Sequence, residues 1–215
     1  MSYDVEAERL GRDRPRRLPP EERRAQLLAC ALRVFARRGI GAARHAEIAE
    51  EAGVAVSTVF VYFETRSALV RAVLDEVARG YLELAERIHT PERPAPEALL
   101  AHAQAFAASV DTHPDHARVW LDWSTAIRDE VWPLYLAFEQ RIVRLLADTL
   151  GRGQREGSIS REIDPEDGAR IAIGAGHMIA QLEFAGRPEA EVDRFLRALV
   201  RALAGGLAVP GAAPG

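Results

Sequence analysis

Apolar residues recur three and four positions apart in nearly every segment that lies between proline and glycine breaks. This spacing places apolar side chains on one face of an α-helix, and no segment shows the alternation of a half-buried strand. The pattern therefore predicts an all-α fold. The chain has 215 residues and 48% hydrophobic content, which is enough for one or two domains with buried cores.

A short helix, a glycine turn and a second short helix follow one another in the segment from Ala46 to Leu69. Gly53 suits the left-handed turn between the two helices. This order predicts a helix-turn-helix, whose second helix enters the major groove of DNA, although such turns also occur in plain helical bundles. The expected packing residues of the second helix are Val56, Val59, Phe60 and Phe63, and its expected DNA-facing residues are Ser57, Thr58, Val61 and Tyr62.

Positive charge is concentrated around this motif. Between residues 9 and 44, eleven arginines and three acidic residues give a net charge of +8 (11 − 3), whereas the whole chain carries −4 and the remainder therefore −12. Such asymmetry suits a polyanionic partner, and a solvated arginine tail without a specific partner is the alternative. We expect residues 1–19 to form a disordered basic arm that reaches a minor groove through Arg14, Arg16 and Arg17.

Proline and glycine also mark the expected domain boundaries. A helix-turn-helix domain is expected over residues 20–66, a helical regulatory and dimerisation domain over residues 67–208, and a disordered tail over residues 209–215. Thr65 is expected to cap a long helix that connects the two domains.

Two further helices have expected limits. The first helix is expected from Pro20 to Arg38, because Gly39 follows it. A later helix is expected to begin at about Asp129 and to be interrupted by the polar stretch over residues 151–165.

The last two helices are apolar over more than one stripe, as a symmetric four-helix dimer interface requires. Burial of the same residues inside the monomer is the alternative. Paired DNA half-sites favour the dimer. The expected interface residues are Gly174, Met178, Phe184, Phe195 and Leu199.

Aromatic residues cluster in the middle of the second domain. They can wall an apolar ligand cavity with His102, Glu139 and His177 as polar lining, or they can form an ordinary core. The cluster consists of Tyr81, Phe106, Trp120, Trp123, Trp132, Tyr135 and Phe138.

No segment approaches the roughly 20 apolar residues of a membrane helix, and Cys30 is the single cysteine. We therefore expect a cytoplasmic protein without a disulfide or membrane association. A metal-dependent helical enzyme is a minor alternative, since Glu86-x-x-His89 and His113-x-Asp115-His116 have ligand-like spacings. A di-metal site of the ferritin type needs a second Glu-x-x-His motif, which the sequence lacks. We expect no enzyme activity, no cofactor and no catalytic or metal-binding residue.

The segment from Val34 to Leu69 resembles the DNA-binding domain of the TetR family of transcriptional regulators. The similarity extends from about Arg14 to Leu203 and is specific for the LuxR/HapR-type quorum-sensing master regulators of vibrios. Its motifs are FARRGIG at 35–41, HAEIAE at 45–50, TVFVYF at 58–63 and WLDWSTAIRDEVWPLY at 120–135.

The resemblance implies a three-helix helix-turn-helix domain followed by a helical bundle for dimerisation and ligand sensing, with about nine helices in all. It implies a homodimer that binds a partly palindromic double-stranded DNA operator, and a global regulator that both activates and represses. A local, ligand-relieved repressor of an efflux or catabolic operon is the alternative. The residues that match DNA-contacting positions are Arg16 and Arg17 in the arm, Ser57 and Thr58 at the start of helix three, and Tyr62 and Arg66 at phosphates.

The DNA-binding motif departs from the vibrio pattern at three places. Val61 stands where those regulators carry a DNA-contacting asparagine, so we expect a shifted operator consensus. Ala55 replaces a capping serine at the start of helix three. Ala43 and Arg44 replace a glycine pair, and Arg44 is expected to add a phosphate contact.

The resemblance also implies a ligand cavity in the second domain. Glu139 and Gly176 make the expected cavity more acidic and roomier than in the vibrio proteins, and the sequence identifies no ligand. Coupling to DNA is expected to run through the long fourth helix. The matching positions are Tyr81, Leu82, Ala85, His102, Trp120, Tyr135, Glu139, Val143 and Gly176.

Overall fold

The computed structural model describes residues 18–205, which form nine α-helices and no strand. This confirms the prediction of an all-α fold. The expected arm, with Arg14, Arg16 and Arg17, lies outside the described residues except for its last two positions, and so does the expected tail. The helices are α1 (Pro20–Arg38), α2 (His45–Ala52), α3 (Val56–Tyr62), α4 (Arg66–Ile88), α5 (Ala95–Thr112), α6 (Pro114–Ser124), α7 (Trp132–Glu156), α8 (Pro165–Phe184) and α9 (Glu189–Gly205).

Helices α1 to α3 form the N-terminal unit. Pro20 starts α1 where its missing N–H is not needed, and Gly39 ends the helix with a φ of 83°, so the predicted limits of α1 are confirmed. Gly53 ends α2 in the left-handed conformation that the tight turn to α3 requires, with a φ of 65° and a ψ of 37°. The unit is held by a small apolar core that includes Leu27, Phe35, Ile48, Val59 and Phe63.

Helix α4 connects this unit to the rest of the molecule. The Thr65 hydroxyl accepts a hydrogen bond from the Ala68 N–H at 3.0 Å, which confirms the predicted cap. The helix packs on α1 at one end and on α5, α6 and α7 along its length. It therefore belongs to both units.

Helices α5 to α9 form a bundle with α4. Helix α5 lies at its centre and contacts α4, α6, α7, α8 and α9, while α7 and α8 pack closely along each other. None of the helices in residues 18–205 is long and apolar enough to cross a membrane.

The limits predicted for α7 were wrong. Residues 126–131 form hydrogen-bonded turns, so the helix begins at Trp132 instead of Asp129. It continues through the supposed polar break to Glu156, and Gly157 ends it in the left-handed conformation. The helix persists because Gly153 is buried against Ile159, where its lack of a side chain permits close packing.

Candidate DNA-binding surface and apolar cavity

The start of α2 is fixed to the end of α3 through a histidine. The Nε2 atom of His45 lies 2.9 Å from the Phe63 carbonyl oxygen, and its ring stacks on Phe60 at a centroid distance of 4.2 Å. His45 is only 8% exposed. It braces the C-terminal end of the two-turn helix α3, whose N-terminus has no side-chain cap at Ala55. Sequence reasoning missed this brace, because the histidine lies outside the apolar pattern.

One face of α3 is open to solvent. Val56, Ser57, Phe60 and Val61 lie on it, and Val61 is 76% exposed. The prediction that Val56 and Phe60 pack inward was wrong, because so short a helix buries only Val59 and the adjoining Phe63. The exposed face thus carries three apolar side chains and one hydroxyl.

The other predicted residues of α3 lie at the edges of this face. Thr58 and Tyr62 are half-buried, and the Tyr62 side chain packs against the apolar core. The structure therefore gives Ser57 and Val61 free access to a partner and gives Thr58 and Tyr62 partial access.

Arg66 makes a different contact from the phosphate contact that we expected. Its Nη2 atom donates to the carbonyl oxygens of Ile40 and of Gly41, the latter at 2.9 Å, and its Nε atom is buried without a partner. The guanidinium thus braces the turn between α1 and α2. Any phosphate contact would have to use its remaining N–H groups.

The basic residues of the described part are partly neutralised. Arg33 and Arg37 both pair with Glu51, at 2.8 and 2.6 Å, and Arg38 pairs with Glu47 at 2.7 Å. These exposed pairs contribute little stability, but they reduce the positive charge that the sequence count implied.

Arg44 is exposed but folds back on its own loop. Its Nη1 atom donates to the carbonyl oxygens of Gly41, Ala42 and Ala43 at 3.1, 2.9 and 3.3 Å. The outward N–H groups of this guanidinium leave room for the predicted phosphate contact.

A second residue holds the turn between α1 and α2 from the opposite side. The carboxylate of Asp122, on α6, accepts the Ile40 N–H at 2.6 Å, and helix α1 packs along α6. The turn at residues 39–41 is therefore clamped by Arg66 from α4 and by Asp122 from α6. The sequence alone gave no signal for this link.

An apolar cavity of about 80 Å³ lies between α4, α5, α6, α7, α8 and α9. Ligand sites usually have roughly 300–1,000 Å³, so a drug-sized ligand would need neighbouring side chains to move apart. The residues that line the cavity are Tyr81, Leu99, His102, Ala103, Phe106, Trp120, Tyr135, Phe138, Glu139, Ile142, Leu146, Ala172, Ile173, Gly176, Ile179, Leu199, Val200 and Leu203.

Six of the nine residues predicted for the cavity line it, namely Tyr81, His102, Trp120, Tyr135, Glu139 and Gly176. Leu82, Ala85 and Val143 do not. They are buried in the packing between helices. Leu82 on α4 and Val143 on α7 lie beside the residues of those helices that line the cavity. Ala85 carries only a methyl group. His177 also lies outside the lining, and its ring contacts Trp120 at a centroid distance of 4.3 Å with the planes tilted by 40°.

A histidine pair closes one wall of the cavity. The Nε2 atom of His89 lies 2.8 Å from Nδ1 of His102, and Nδ1 of His89 lies 3.0 Å from the Thr149 hydroxyl. Burial lowers the pKa of His102 to about 4, and burial together with His102, Arg152 and Arg93 lowers the pKa of His89 to about 3. Both imidazoles are therefore neutral at pH 7, so the pair adds no charge to the cavity.

The hydroxyl of Tyr81 is the least satisfied polar group of the cavity. It is buried and makes no hydrogen bond of ordinary geometry, although the Ser109 hydroxyl, which donates to the Phe106 carbonyl oxygen at 2.6 Å, lies nearby as an acceptor. Burial raises the pKa of Tyr81 above its usual value.

Replacing Tyr81 with phenylalanine is expected to stabilise the ligand-free protein by about 1 kcal/mol, because an unpaired buried hydroxyl costs free energy. Urea unfolding at fixed protein concentration measures this change. The Y135F variant serves as the control, because the Tyr135 hydroxyl lies 3.4 Å from the Glu139 carboxylate and so has a partner. A Y81F protein less stable than the wild type would show that the hydroxyl is satisfied.

The predicted dimer residues fall into two groups. Gly174, Met178 and Phe184 are exposed on α8, together with Ile171. Phe195 is half-buried against the core, and Leu199 lines the cavity. Helix α8 therefore presents an apolar outer face, whereas the two α9 residues point towards the interior because α9 packs against α5 and α8.

The histidines of the minor enzyme alternative are not assembled into a metal site. Within residues 18–205 there is no group of three side chains that could hold a metal ion. His89 instead pairs with His102, and the rings of His113 and His116 lie edge to face near the break between α5 and α6.

A braced helix-turn-helix, joined by a shared helix to a separate bundle with its own cavity, defines a DNA-binding regulator. Residues 27–73 match the model of the family described as bacterial regulatory proteins, tetR family. The HTH-type transcriptional regulator LuxR of Vibrio harveyi is 37% identical over 191 residues, which cover 86% of this chain and 91% of that protein. The chain belongs to the TetR family and is a DNA-binding transcriptional regulator.

Solved structures show the same fold. A TetR-like transcriptional regulator from Rhodococcus sp. RHA1 superposes with a TM-score of 0.74 at 22% identity, over 89% of this chain and 100% of the other. The transcriptional regulator FadR from Bacillus subtilis, in complex with stearoyl-CoA, gives a TM-score of 0.72 at 18% identity, over 85% of this chain and 98% of the other. These likenesses extend the family's fold to the whole bundle.

Proposed function

We propose that this regulator binds a partly palindromic operator as a homodimer, with α3 of each subunit in a major groove. The observation that carries this proposal is the exposed face of α3, which His45 and Gly53 hold in a fixed orientation. Arg14, Arg16 and Arg17 are assigned to the adjacent minor groove, and Arg44 to a phosphate. The exposed apolar face of α8 supports pairing through α8, against which α9 packs.

The chemistry of the α3 face supports a particular kind of base recognition. Val56, Phe60 and Val61 offer no hydrogen bond to a base edge, but they can contact the methyl group of thymine. Ser57 adds one hydroxyl. We therefore propose that the operator carries thymine at the bases that α3 contacts.

Selection of bound duplexes from a random DNA library tests this proposal. We expect an imperfect palindrome, bound with an affinity that falls steeply with salt because phosphate contacts release counterions. Failure to enrich any sequence, with or without a cell extract as a source of ligand, would contradict operator binding.

Changing Val61 to asparagine is expected to alter the selected consensus at one position of each half-site. The amide can form two hydrogen bonds with adenine, so thymine should be replaced by adenine at the contacted base, with a preference of roughly 1–3 kcal/mol. Parallel selections with the wild type and V61N measure the shift. Identical consensus sequences would place Val61 away from the bases.

Two regulatory roles remain open. The similarity to LuxR over most of the chain supports a global, quorum-sensing-type regulator that both activates and represses. The apolar cavity in the bundle supports the alternative of a local repressor that a ligand relieves. Mapping of binding sites across the genome separates them, since many dispersed sites favour the first role and one site beside its own gene favours the second.

A ligand could act on DNA binding through two helices. Tyr81 of α4 and Trp120 of α6 line the cavity, and the same helices clamp the α1–α2 turn through Arg66 and Asp122. The ligand changes operator affinity only if it binds one arrangement of these helices better than the other. The proposal includes no catalysis, because the family and the relatives are transcriptional regulators. It places the protein in the cytoplasm, where the bacterial chromosome lies.

A further inference from the structure

Glu139 is the single charged side chain among the residues that line the apolar cavity. The one other lining residue that could carry charge is His102, and it is neutral at pH 7 because burial lowers its pKa to about 4. The cavity therefore offers one negative charge and no positive charge to a ligand.

The carboxylate of Glu139 is half-buried and has few protein partners within the described residues. Its only hydrogen bond there is to the Tyr135 hydroxyl, at 3.4 Å, which is long for an O–H donor. It has no arginine partner within 4.0 Å in residues 18–205, although most other helices carry such pairs. A carboxylate accepts about four hydrogen bonds, so most of its capacity is left for a ligand.

An aromatic wall shares the cavity with this carboxylate. Tyr81, Phe106 and Trp120 contact one another at centroid distances of 5.4 to 6.1 Å, and all three line the cavity. The faces of such rings attract cations as well as apolar groups. The unpartnered hydroxyl of Tyr81, 92% buried in the same wall, is a second polar group without a partner.

We propose that the cavity binds a small aromatic or apolar molecule with a cationic, hydrogen-bond-donating group such as an ammonium, which pairs with Glu139. This proposal deepens the proposed function and rests on it for the regulatory role of the ligand. A ligand with an anionic head meets the Glu139 carboxylate and finds no cation to balance it. The cavity therefore disfavours a ligand that places a carboxylate or a phosphate beside Glu139.

The test uses three probes with the same aromatic body and different charge, namely benzylammonium, benzyl alcohol and benzoate. Each is titrated into the full-length protein without DNA, and binding is followed through the indole N–H signals of the tryptophans, of which Trp120 lines the cavity. We expect benzylammonium to bind at least about tenfold more tightly than benzoate, with benzyl alcohol between them.

Two variants show whether Glu139 causes this order. In E139Q the advantage of benzylammonium over benzyl alcohol should fall to less than about twofold, while the affinity for benzyl alcohol stays within about twofold of the wild type. E86Q removes an exposed carboxylate on α4 and should leave the order unchanged. If E139Q does not fold, it also loses benzyl alcohol binding. E139D then replaces it, and E139D should retain the preference for benzylammonium.

Equal affinities for the three probes, tightest binding of benzoate, or no binding of any probe at about 10 mM would overturn the proposal. Operator binding is measured separately on the same proteins. Because the titrations contain no DNA, a protein that fails to bind an operator would contradict the proposed function and leave the ligand class standing.

Discussion

Replacing Val61 with glutamate is expected to lower the affinity for the selected operator by at least about 100-fold. Val61 is the most exposed large apolar side chain of the described residues, at 76%, and lies on the exposed face of α3. Glutamate there brings a negative charge to the phosphates and removes an apolar contact to a base. A lost base contact costs roughly 1–3 kcal/mol, and a dimer loses two.

The same substitution at another exposed site controls for the added charge. Ile127, in the turn between α6 and α7, is 66% exposed and is not assigned to DNA. I127E should change operator affinity by less than about twofold. V61E should unfold at nearly the wild-type temperature, because glutamate favours helices. Fluorescence anisotropy with a labelled operator measures both proteins. Comparable affinities for V61E and I127E would remove α3 from the DNA interface.

Replacing Gly153 with alanine is expected to destabilise the protein by about 2 kcal/mol. A Cβ atom at this position would lie 2.4 Å from Cγ1 of Ile159 and 2.6 Å from Cβ of Ala95. Both neighbours are buried, so neither can move without displacing the loop after α7 or the start of α5. The gain in helix propensity, about 1 kcal/mol, offsets only part of this overpacking.

Gly151 provides a matched control in the same helix. A Cβ atom there would meet Arg155 and Pro165 at 3.6 and 3.9 Å, which are ordinary contact distances. G151A should therefore stabilise the protein by roughly 0.5–1 kcal/mol. Urea unfolding of both variants at one protein concentration compares them, since a dimer's stability depends on concentration. A G153A protein as stable as G151A would disprove the close approach of Ile159.

The sequence was most informative where local chemistry decides the structure. The limits of α1 follow from a proline that can begin a helix and a glycine that ends it, and the cap of α4 follows from the hydroxyl of Thr65. The turn at Gly53 is equally local. These features depend on a few neighbouring residues, so a pattern in the sequence is enough to predict them.

The errors arose where distant residues decide. The polar stretch from residue 151 was expected to break α7, but Gly153 is a packing position inside the helix, against Ala95 at the start of α5 and Ile159 in the loop that follows. Phe60 was expected to be a core residue, but its ring lies outside the core and stacks on His45. An apolar pattern indicates that a side chain makes apolar contacts, but it does not identify the residues that it contacts.

The cavity illustrates the same limit for the site. Spacing identifies which face of α7 points inward, and Tyr135 and Glu139 lie on it. Val143 was placed in the cavity by the resemblance alone, and it lies outside the lining because a position eight residues after Tyr135 falls at the edge of this stripe. The histidine pair of His89 and His102 joins two helices, so no local pattern could show it.

The double clamp on the turn at residues 39–41 limits how such regulators can be recombined. A chimaera that takes residues 20–66 from another protein would bring its own arginine at the end of the segment but would meet Asp122 of this chain. A donor turn that does not offer an N–H at the position of Ile40 would leave that carboxylate without its partner. The transferable unit for operator exchange therefore consists of the first three helices, the arginine at the start of the fourth and one acidic residue from the sixth.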